Sequence, residues 1–371
     1  MNATRRDVSL DVLKGMGCVL MVLAHSRVIL KADDAFTYIG GLAPVLFFTV
    51  TGVTATFQAK KYKFRSMFWP YLFILMIGYS YNALGYTNFL LDMDYQIIQT
   101  IAFGAVVVYL VERTFHPKPW IYLLLTALTF LAKVLIIWFP QTQNVPILTG
   151  TIFPLGYFPI IPWLALFFLG VFAYRVTNSN NLVLAFILVL VFAALYFAGI
   201  DLKPLDKWGV SLGYFLVCCI STLLVFFLAR GLPWMQSEKG KDLILFLGRN
   251  SLLFLYVHLA IINTVHYFKW FNKIKWLPSV PYVFWIGVIG ATLLVMWILL
   301  RIAKFEIITR FFRNLPVWII LTVAVFAVPA LVGNIIIVFV VELGIGLLLS
   351  LYYHTLAGIF RPVKKQVPIV S

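Results

Sequence analysis

Long apolar runs recur along the whole chain and are separated by short polar connections. Reading apolar runs of about 17–25 residues as membrane-crossing helices predicts about twelve spans. They lie near residues 10–30, 39–58, 66–85, 95–111, 119–139, 157–175, 182–199, 209–229, 243–266, 282–301, 316–333 and 334–356. Because no connection exceeds about 20 residues, the pattern predicts an all-α, polytopic transmembrane helical bundle of about 10–12 spans with no soluble domain.

The same pattern predicts a single integral-membrane domain over residues 1–371, with a core at about 8–300 and additional C-terminal spans at 316–356. The two C-terminal spans form one long apolar stretch, which we divide at Pro329, Gly333 and Asn334. The chain has no obvious internal repeat, whereas many membrane transporters are built from two related halves. The pattern therefore weakens an interpretation as a transporter.

Composition and charge agree with a membrane location. Hydrophobic residues make up 63% of the chain and charged residues 11%, and the mean hydropathy is +0.98, so most of the chain belongs in lipid. With the N-terminus placed in the cytoplasm, nineteen Lys and Arg residues fall on the cytoplasmic side and six on the outer side. This positive-inside bias accounts for the net charge of +16 without a nucleic-acid partner. We expect a multi-pass protein of the cell inner (plasma) membrane with both termini cytoplasmic.

The first span contains an ionisable side chain, His25, within its apolar part. If the helix enters the membrane at Asp11, His25 lies about 21 Å along it, past the middle of a hydrocarbon layer about 30 Å thick. Keeping an ionisable group there is costly, which favours a functional role. Asp11 and Lys14 share a helical face and can neutralise each other, and Lys14 precedes His25 by about three turns on one face. The structural alternative is an interfacial ion pair and a core histidine bonded to a neighbouring helix.

A second histidine, His258, lies in the ninth span. If that span is one helix from Leu243, His258 is about 22 Å along it, at a depth similar to that of His25. Two walls of one cavity would require such matching depths, although a histidine packed between helices remains the alternative. We assign no role to His116, His266 or His354.

Basic residues cluster at the predicted cytoplasmic ends of the spans. Lys60, Lys61, Lys63 and Arg65 follow the second span, and Arg249 lies at the start of the ninth. Such residues near a bilayer can bind phosphate groups, or they can simply attract anionic lipid.

Polar groups elsewhere allow further assignments. Asp94 and Gln99 flank the outer end of the fourth span and could bind hydroxyl groups of a polar acceptor, although a solvated helix start is the alternative. Lys133 and Glu342 lie inside two other spans, and because buried opposite charges usually pair, we expect a salt bridge between them. The chain has no His-Glu-x-x-His spacing, phosphate-cradling glycine loop or Gly-x-Ser-x-Gly turn, so we predict no metal site.

Two motifs near the N-terminus resemble those of a known family. Leu-Asp-Val-Leu-Lys-Gly-Met-Gly at 10–17, followed by His25, resembles the opening helix of the integral-membrane acyltransferase-3 superfamily, in which a basic residue precedes a histidine by eleven positions. The basic residue here is Lys14. Pro-Val-Leu-Phe-Phe-Thr-Val-Thr-Gly at 44–52 is similar to the family's Phe-Phe-x-x-Ser-Gly pattern, with Thr51 in place of serine.

Two later segments extend the resemblance. Tyr-Phe-Pro-Ile-Ile-Pro-Trp-Leu at 157–164, continuing to Gly170, looks like the branch related to heparan-α-glucosaminide N-acetyltransferase. The segment 247–258 resembles a late-helix motif found across the group. The resemblance implies a membrane acyltransferase domain that moves an acyl group, usually acetyl from acetyl-CoA, onto a glycan or lipid-linked saccharide outside the cytoplasm.

The resemblance also implies residue roles. It makes His25 the catalytic base or a covalent acyl carrier, and it makes Lys14 and Arg65 donor-binding residues. We expect further residues to contact the substrates, with Lys63 and Arg249 at the donor and His258, Asp11, Gln99 and Asp94 at the acceptor or cavity. Acetyl-CoA is expected as the acyl-donor substrate, without a metal ion. The expected partners are acyl-CoA, the acceptor and the lipid bilayer, and a homo-oligomer is left open.

Two other classes of function compete with this hypothesis. One is a non-catalytic permease for a glycan precursor or small anion, with His25 and Lys133 lining the path. The other is a structural partner in an envelope-assembly complex.

Overall fold

The computed structural model of the chain describes residues 7–26, 39–84, 94–139, 145, 148–154, 156–267 and 281–361. Over these ranges the chain forms α-helices joined by short connections and no β-strand, which confirms the predicted all-α polytopic bundle. The helices are α1 (Val8–Ser26), α2 (Ala43–Lys61), α3 (Phe64–Ile77), α4 (Ser80–Ala83), α5 (Ile97–Phe115), α6 (Pro119–Trp138), α7 (Ile160–Arg175), α8 (Asn178–Phe197), α9 (Leu212–Gly231), α10 (Pro233–Gln236), α11 (Asp242–Arg249), α12 (Ser251–Tyr267), α13 (Pro281–Ile302), α14 (Glu306–Phe311), α15 (Leu315–Leu331) and α16 (Ile335–Ile359).

Eight helices in the described part of the chain are long and apolar enough to cross a membrane, and the bent pair α11–α12 makes a ninth candidate. Helices α7 and α15 are apolar but shorter, and they occupy the positions of the sixth and eleventh expected spans. The third expected span, at 66–85, is interrupted: α3 ends at Ile77, and α4 follows after a turn at Gly78 and Tyr79.

The ninth expected span is bent rather than straight. Helices α11 and α12 meet at 91°, and Asn250 lies between them. The Phe246 carbonyl oxygen at the end of α11 accepts from both the backbone amide of Asn250, at 3.1 Å, and its side-chain amide, at 2.8 Å. The side chain of Asn250 thus reinforces the end of α11 where the chain turns.

Helices α1 and α2 form the centre of the bundle. In their most apolar windows 61% and 83% of the residues are buried, against 11% in both α6 and α8, so the latter two lie at the periphery. Helices α2 and α7 approach each other closely through glycines. A Cβ atom at Gly52 would collide with the Phe167 carbonyl group, and one at Gly170 would collide with the Thr49 backbone. Small residues at such contacts are typical of packed membrane helices.

The C-terminal division of the long apolar stretch is confirmed. Helix α15 ends at Leu331 and α16 begins at Ile335. The Asn334 side-chain oxygen accepts hydrogen bonds from the backbone amides of Ile336 at 2.9 Å and Ile337 at 3.3 Å, which caps α16. Helix α16 packs against α3, α4 and α12, so it forms part of the same bundle.

The expected salt bridge between Lys133 and Glu342 is wrong. The Lys133 ammonium donates to the Val210 carbonyl oxygen at 3.3 Å. The Glu342 side chain is fully buried, and neither of its carboxyl oxygens has a hydrogen-bond partner among the described residues. The two charges lie on different flanks, because α6 packs against α7 whereas α16 packs against α3, α4 and α12. Apolar patterning alone does not reveal which helices are adjacent.

Candidate active site

Helices α1 and α12 bring two histidines into direct contact. The His25 Nδ1 atom lies 2.9 Å from His258 Nε2, and the two ring planes are within 3° of parallel. The Phe254 ring stacks on His258 at a centroid distance of 5.0 Å and holds its orientation. His258 is fully buried, whereas His25 is only partly buried. Of the two rings, His25 is therefore the more accessible.

The hydrogen bonds of His258 fix the tautomers of the neutral pair. Its Nδ1 atom lies 2.7 Å from the Phe254 carbonyl oxygen, which can only accept, so Nδ1 carries the proton. The Nε2 atom of His258 is then an acceptor, and His25 Nδ1 donates to it. This leaves the lone pair of His25 on Nε2. A histidine oriented in this way by a second group is suited to act as a base or a nucleophile.

The approach of α11 to α1 sets the position of His258. A Cβ atom at Gly248 would collide with the Asp11 carbonyl group, and one at Gly15 would collide with the Ile244 carbonyl group. Helix α12 therefore starts beside the first turns of α1 and runs along that helix towards His25. His25 itself lies in the last turn of α1, closer to the end of the helix than to its middle.

A cavity of about 490 Å³ lies on the charged side of this pair. Lys14 lines it from α1, and Ser251, Leu252 and Leu255 line it from α12. Leu255 precedes His258 by three residues, a rise of about 4.5 Å. The lining of the cavity thus comes within one helical turn of His258 along α12, and neither His25 nor His258 is among the residues that line it.

Cations from three separate elements line this cavity. Lys14 comes from the first half of α1, Lys61 ends α2, and Arg361 follows α16. The Tyr62 ring lies between two of them, with Lys61 Nζ at 5.3 Å and Arg361 Cζ at 4.6 Å from its centroid. None of the described residues that line the cavity is acidic. The walls therefore present a positive field suited to phosphate or carboxylate groups.

The other predicted donor residues lie elsewhere. Lys63 and Arg65 are exposed and do not line the cavity. The Arg249 guanidinium forms ion pairs with Asp11, at 3.4 Å, and with Glu238. The ion pair between Asp11 and Arg249 thus joins α1 to α11. Of the predicted donor set, Lys14 is the residue that borders the cavity.

Gln99 and Asp94 belong to a hydrogen-bonded chain at the opposite end of the bundle. The Gln99 amide donates to the Asn82 side-chain oxygen at 2.8 Å, and the Asn82 amide donates to the Asp94 carbonyl oxygen at 2.7 Å. Gln99 is fully buried, so this chain ties α4 to the start of α5.

A group of aromatic residues surrounds Lys207 at the same end. The Lys207 ammonium lies 4.3 Å from the Trp208 ring centroid and 5.1 Å from that of Phe158, and Tyr157 packs edge-on against Trp208 at 5.2 Å. Lys207 lies in the connection between α8 and α9, where burial lowers its pKa to about 8. Aromatic faces beside a cation are suited to polar ligands with apolar ring faces.

Arg361 and Lys207 were not predicted as site residues, and His354, to which we assigned no role, lines the cavity together with Arg361. For Arg361 and His354 the available signal was their position near the inner end of the last span, but only tertiary packing brings that end to the cavity. Lys207 is one of the six Lys and Arg residues that the sequence placed on the outer side of the membrane, and nothing in its sequence surroundings singled it out.

Comparison with known proteins agrees with the N-terminal motifs. The family described as acyltransferase domain matches residues 7–301. No curated protein and no solved structure matches the chain. The matched segment includes both histidines and ends before α14, so α15 and α16 lie outside it.

Proposed function

The chain belongs to the acyltransferase-3 superfamily, and we propose that it transfers an acyl group, in particular acetyl from acetyl-CoA, to a glycan or lipid-linked saccharide on the other side of the membrane. The observation that carries this proposal is the contact between His25 and His258, with a cation-lined cavity whose wall reaches α12 less than one turn before His258. We further propose the cell inner membrane as its location, with the basic end of the bundle and both termini in the cytoplasm, in agreement with the positive-inside bias.

The cavity supports a donor site on the basic side. Acyl-CoA combines phosphate groups with a long thioester arm, and the cavity is lined both by cations and by Leu255, which lies less than one helical turn before His258. Phosphates held by Lys14 and Lys61 would leave the thioester directed towards His25. Electrostatic attraction by these cations favours an anionic donor over a neutral one.

His25 would carry the chemistry through its Nε2 lone pair. As a general base, Nε2 takes the proton of an acceptor hydroxyl or amine while that atom attacks the thioester carbonyl. The carbon–sulfur bond then breaks, and the CoA thiolate receives the proton. Charge that develops on His25 is shared through Nδ1 with His258, which is 2.9 Å away. His258 is thus a positioning residue.

The alternative route makes Nε2 the nucleophile. It would attack the thioester, release CoA and carry the acyl group as an acyl-imidazole until the acceptor arrives. Rapid quenching after mixing the purified protein with radiolabelled acetyl-CoA, without acceptor, separates the two routes. Label bound to the protein in wild type and absent from His25→Ala supports the carrier, whereas no bound label supports the general base.

An acceptor-dependent thioester assay tests the proposed function. The purified protein in lipid nanodiscs is mixed with acetyl-CoA and envelope polysaccharide fractions, and free CoA thiol is measured. We expect CoA release only when a suitable acceptor is present. A permease would instead move its substrate across a vesicle membrane without releasing CoA, and a structural partner would give neither signal.

A further inference from the structure

We propose that α16 completes the donor site, with Arg361 binding a phosphate group of the acyl-CoA through its guanidinium. This inference rests on the proposed function. It assigns donor binding to a segment outside the matched domain, which ends at residue 301. His354, on the same helix, also borders the cavity.

The end of α16 is held firmly against α3. The Ser66 hydroxyl donates to the Phe360 carbonyl oxygen at 2.8 Å, and the Phe360 ring stacks with Trp69 at 6.2 Å. Further up the helix, Gly346 lets α16 touch the Tyr256 ring, because a Cβ atom there would collide with it. These contacts fix the position of Arg361, which directly follows Phe360.

Arg361 lines the cavity and carries a buried donor that has no acceptor among the described residues. Its Nε atom is buried and has no hydrogen-bond partner among the described residues. The Arg361 guanidinium carbon lies 4.6 Å from the centroid of the Tyr62 ring. Buried N–H groups are rarely left without an acceptor in folded proteins. Arg361 also lines the cavity, so a small rotation of its guanidinium towards that space would let an oxygen-bearing ligand there supply the acceptor.

The charge of the cavity points to a phosphate. Lys14, Lys61 and Arg361 border it, and no described lining residue is acidic. Three positive groups around one space repel each other, and a phosphate relieves that repulsion. The planar guanidinium can also bind two phosphate oxygens at once, which a lysine cannot do. Arg361 is therefore the residue in this set best suited to hold the phosphate in one geometry.

Two donors of different length test the proposal. Acetyl-CoA carries the phosphates, whereas S-acetyl-pantetheine has the same thioester arm without them. We expect Arg361→Gln to raise the KM for acetyl-CoA at least about tenfold and to change that for S-acetyl-pantetheine less than about twofold. Lys304→Gln removes the same charge from an exposed position on the basic side and should leave both donors unaffected.

Binding of CoA measured by calorimetry provides a second readout on the full-length protein. Arg361→Lys, which keeps the charge but loses the planar fork, should bind CoA with an affinity between those of wild type and Arg361→Gln. Equal affinity in wild type and Arg361→Gln overturns the inference while leaving the proposed function intact, as does an equal loss with both donors. Failure of wild type itself to bind CoA overturns both.

Discussion

The two ends of the bundle are built in contrasting ways. The basic end holds an open cavity of about 490 Å³ whose described walls carry cations and no acids. At the opposite end the described residues contact one another: Gln99, Asn82 and Asp94 form a hydrogen-bonded chain, and aromatic rings pack around Lys207. Under the proposed function, the donor would enter a cavity that the described residues already form, whereas an acceptor would meet the hydrogen-bonded chain and the aromatic group of the other end. The His25–His258 pair lies between these two regions.

The largest expected effect comes from removing the reactive histidine. His25→Ala should lower kcat for acetyl transfer by at least about 10³-fold, because general-base catalysis alone contributes about 10²–10⁴-fold. Release of CoA thiol with acetyl-CoA and acceptor is the measurement. His266→Ala removes an exposed histidine from the end of α12 and should retain full activity. Near-normal turnover in His25→Ala would show that His25 does not carry the chemistry.

The second effect concerns the orientation of His25. His258→Ala should lower kcat by about 10²-fold and leave the KM for acetyl-CoA within about twofold, because His258 bonds to His25 and does not line the cavity. His258→Gln supplies an amide oxygen that can accept from His25 Nδ1, so it should recover part of the rate. If His258→Gln and His258→Ala lower kcat equally, the hydrogen bond to His25 does not account for the effect of His258.

The third effect separates two lysines that sequence reasoning treated alike. Lys14 borders the cavity, whereas Lys63 is exposed and does not. Lys14→Gln should raise the KM for acetyl-CoA about tenfold, with a smaller change at high salt because screening already weakens the attraction in wild type. Lys63→Gln is the matched control and should stay within about twofold. The measurement is the steady-state KM for acetyl-CoA of both variants at two ionic strengths. An equal rise in KM in Lys14→Gln and Lys63→Gln would mean that the cavity is not the donor site.

The smallest effect is expected at the aromatic end. Lys207→Gln should raise the KM for the acceptor about threefold without changing that for acetyl-CoA. Because burial lowers the pKa of Lys207 to about 8, its charge is present at pH 7 and mostly lost at pH 9. The acceptor KM of wild type should therefore rise over this range relative to that of Lys207→Gln. An unchanged acceptor KM in Lys207→Gln at pH 7 would mean that Lys207 does not take part in acceptor binding.

The sequence was informative where local patterning decides the outcome. Apolar runs predicted the helical bundle and the division between α15 and α16, since both depend on length, hydropathy and the capping residue Asn334. The spacing of Lys14 and His25 predicted that one helix carries both residues, and α1 does. Each of these inferences uses residues that lie on one helix or close together in the sequence.

The remainder depends on which helices are adjacent, and hydropathy carries no such information. Glu342 and Lys133 were expected to pair, but their helices lie on different flanks. The 91° bend at Asn250 brings His258 to His25 by a path that a straight ninth span would not follow. Arg361 reaches the cavity because α16 packs against α3, a contact between residues nearly 300 positions apart.

The central claim is that His25 joins a donor on one side of the membrane to an acceptor on the other. Proteoliposomes provide the direct measurement: radiolabelled acetyl-CoA, which does not cross the bilayer, is supplied outside protein molecules oriented with their basic ends outward, and the acceptor is enclosed in the lumen. We predict labelled acceptor inside the vesicles with wild type and none with His25→Ala. Acceptor labelled only when it shares a compartment with the donor, or labelled equally by both proteins, would contradict the account.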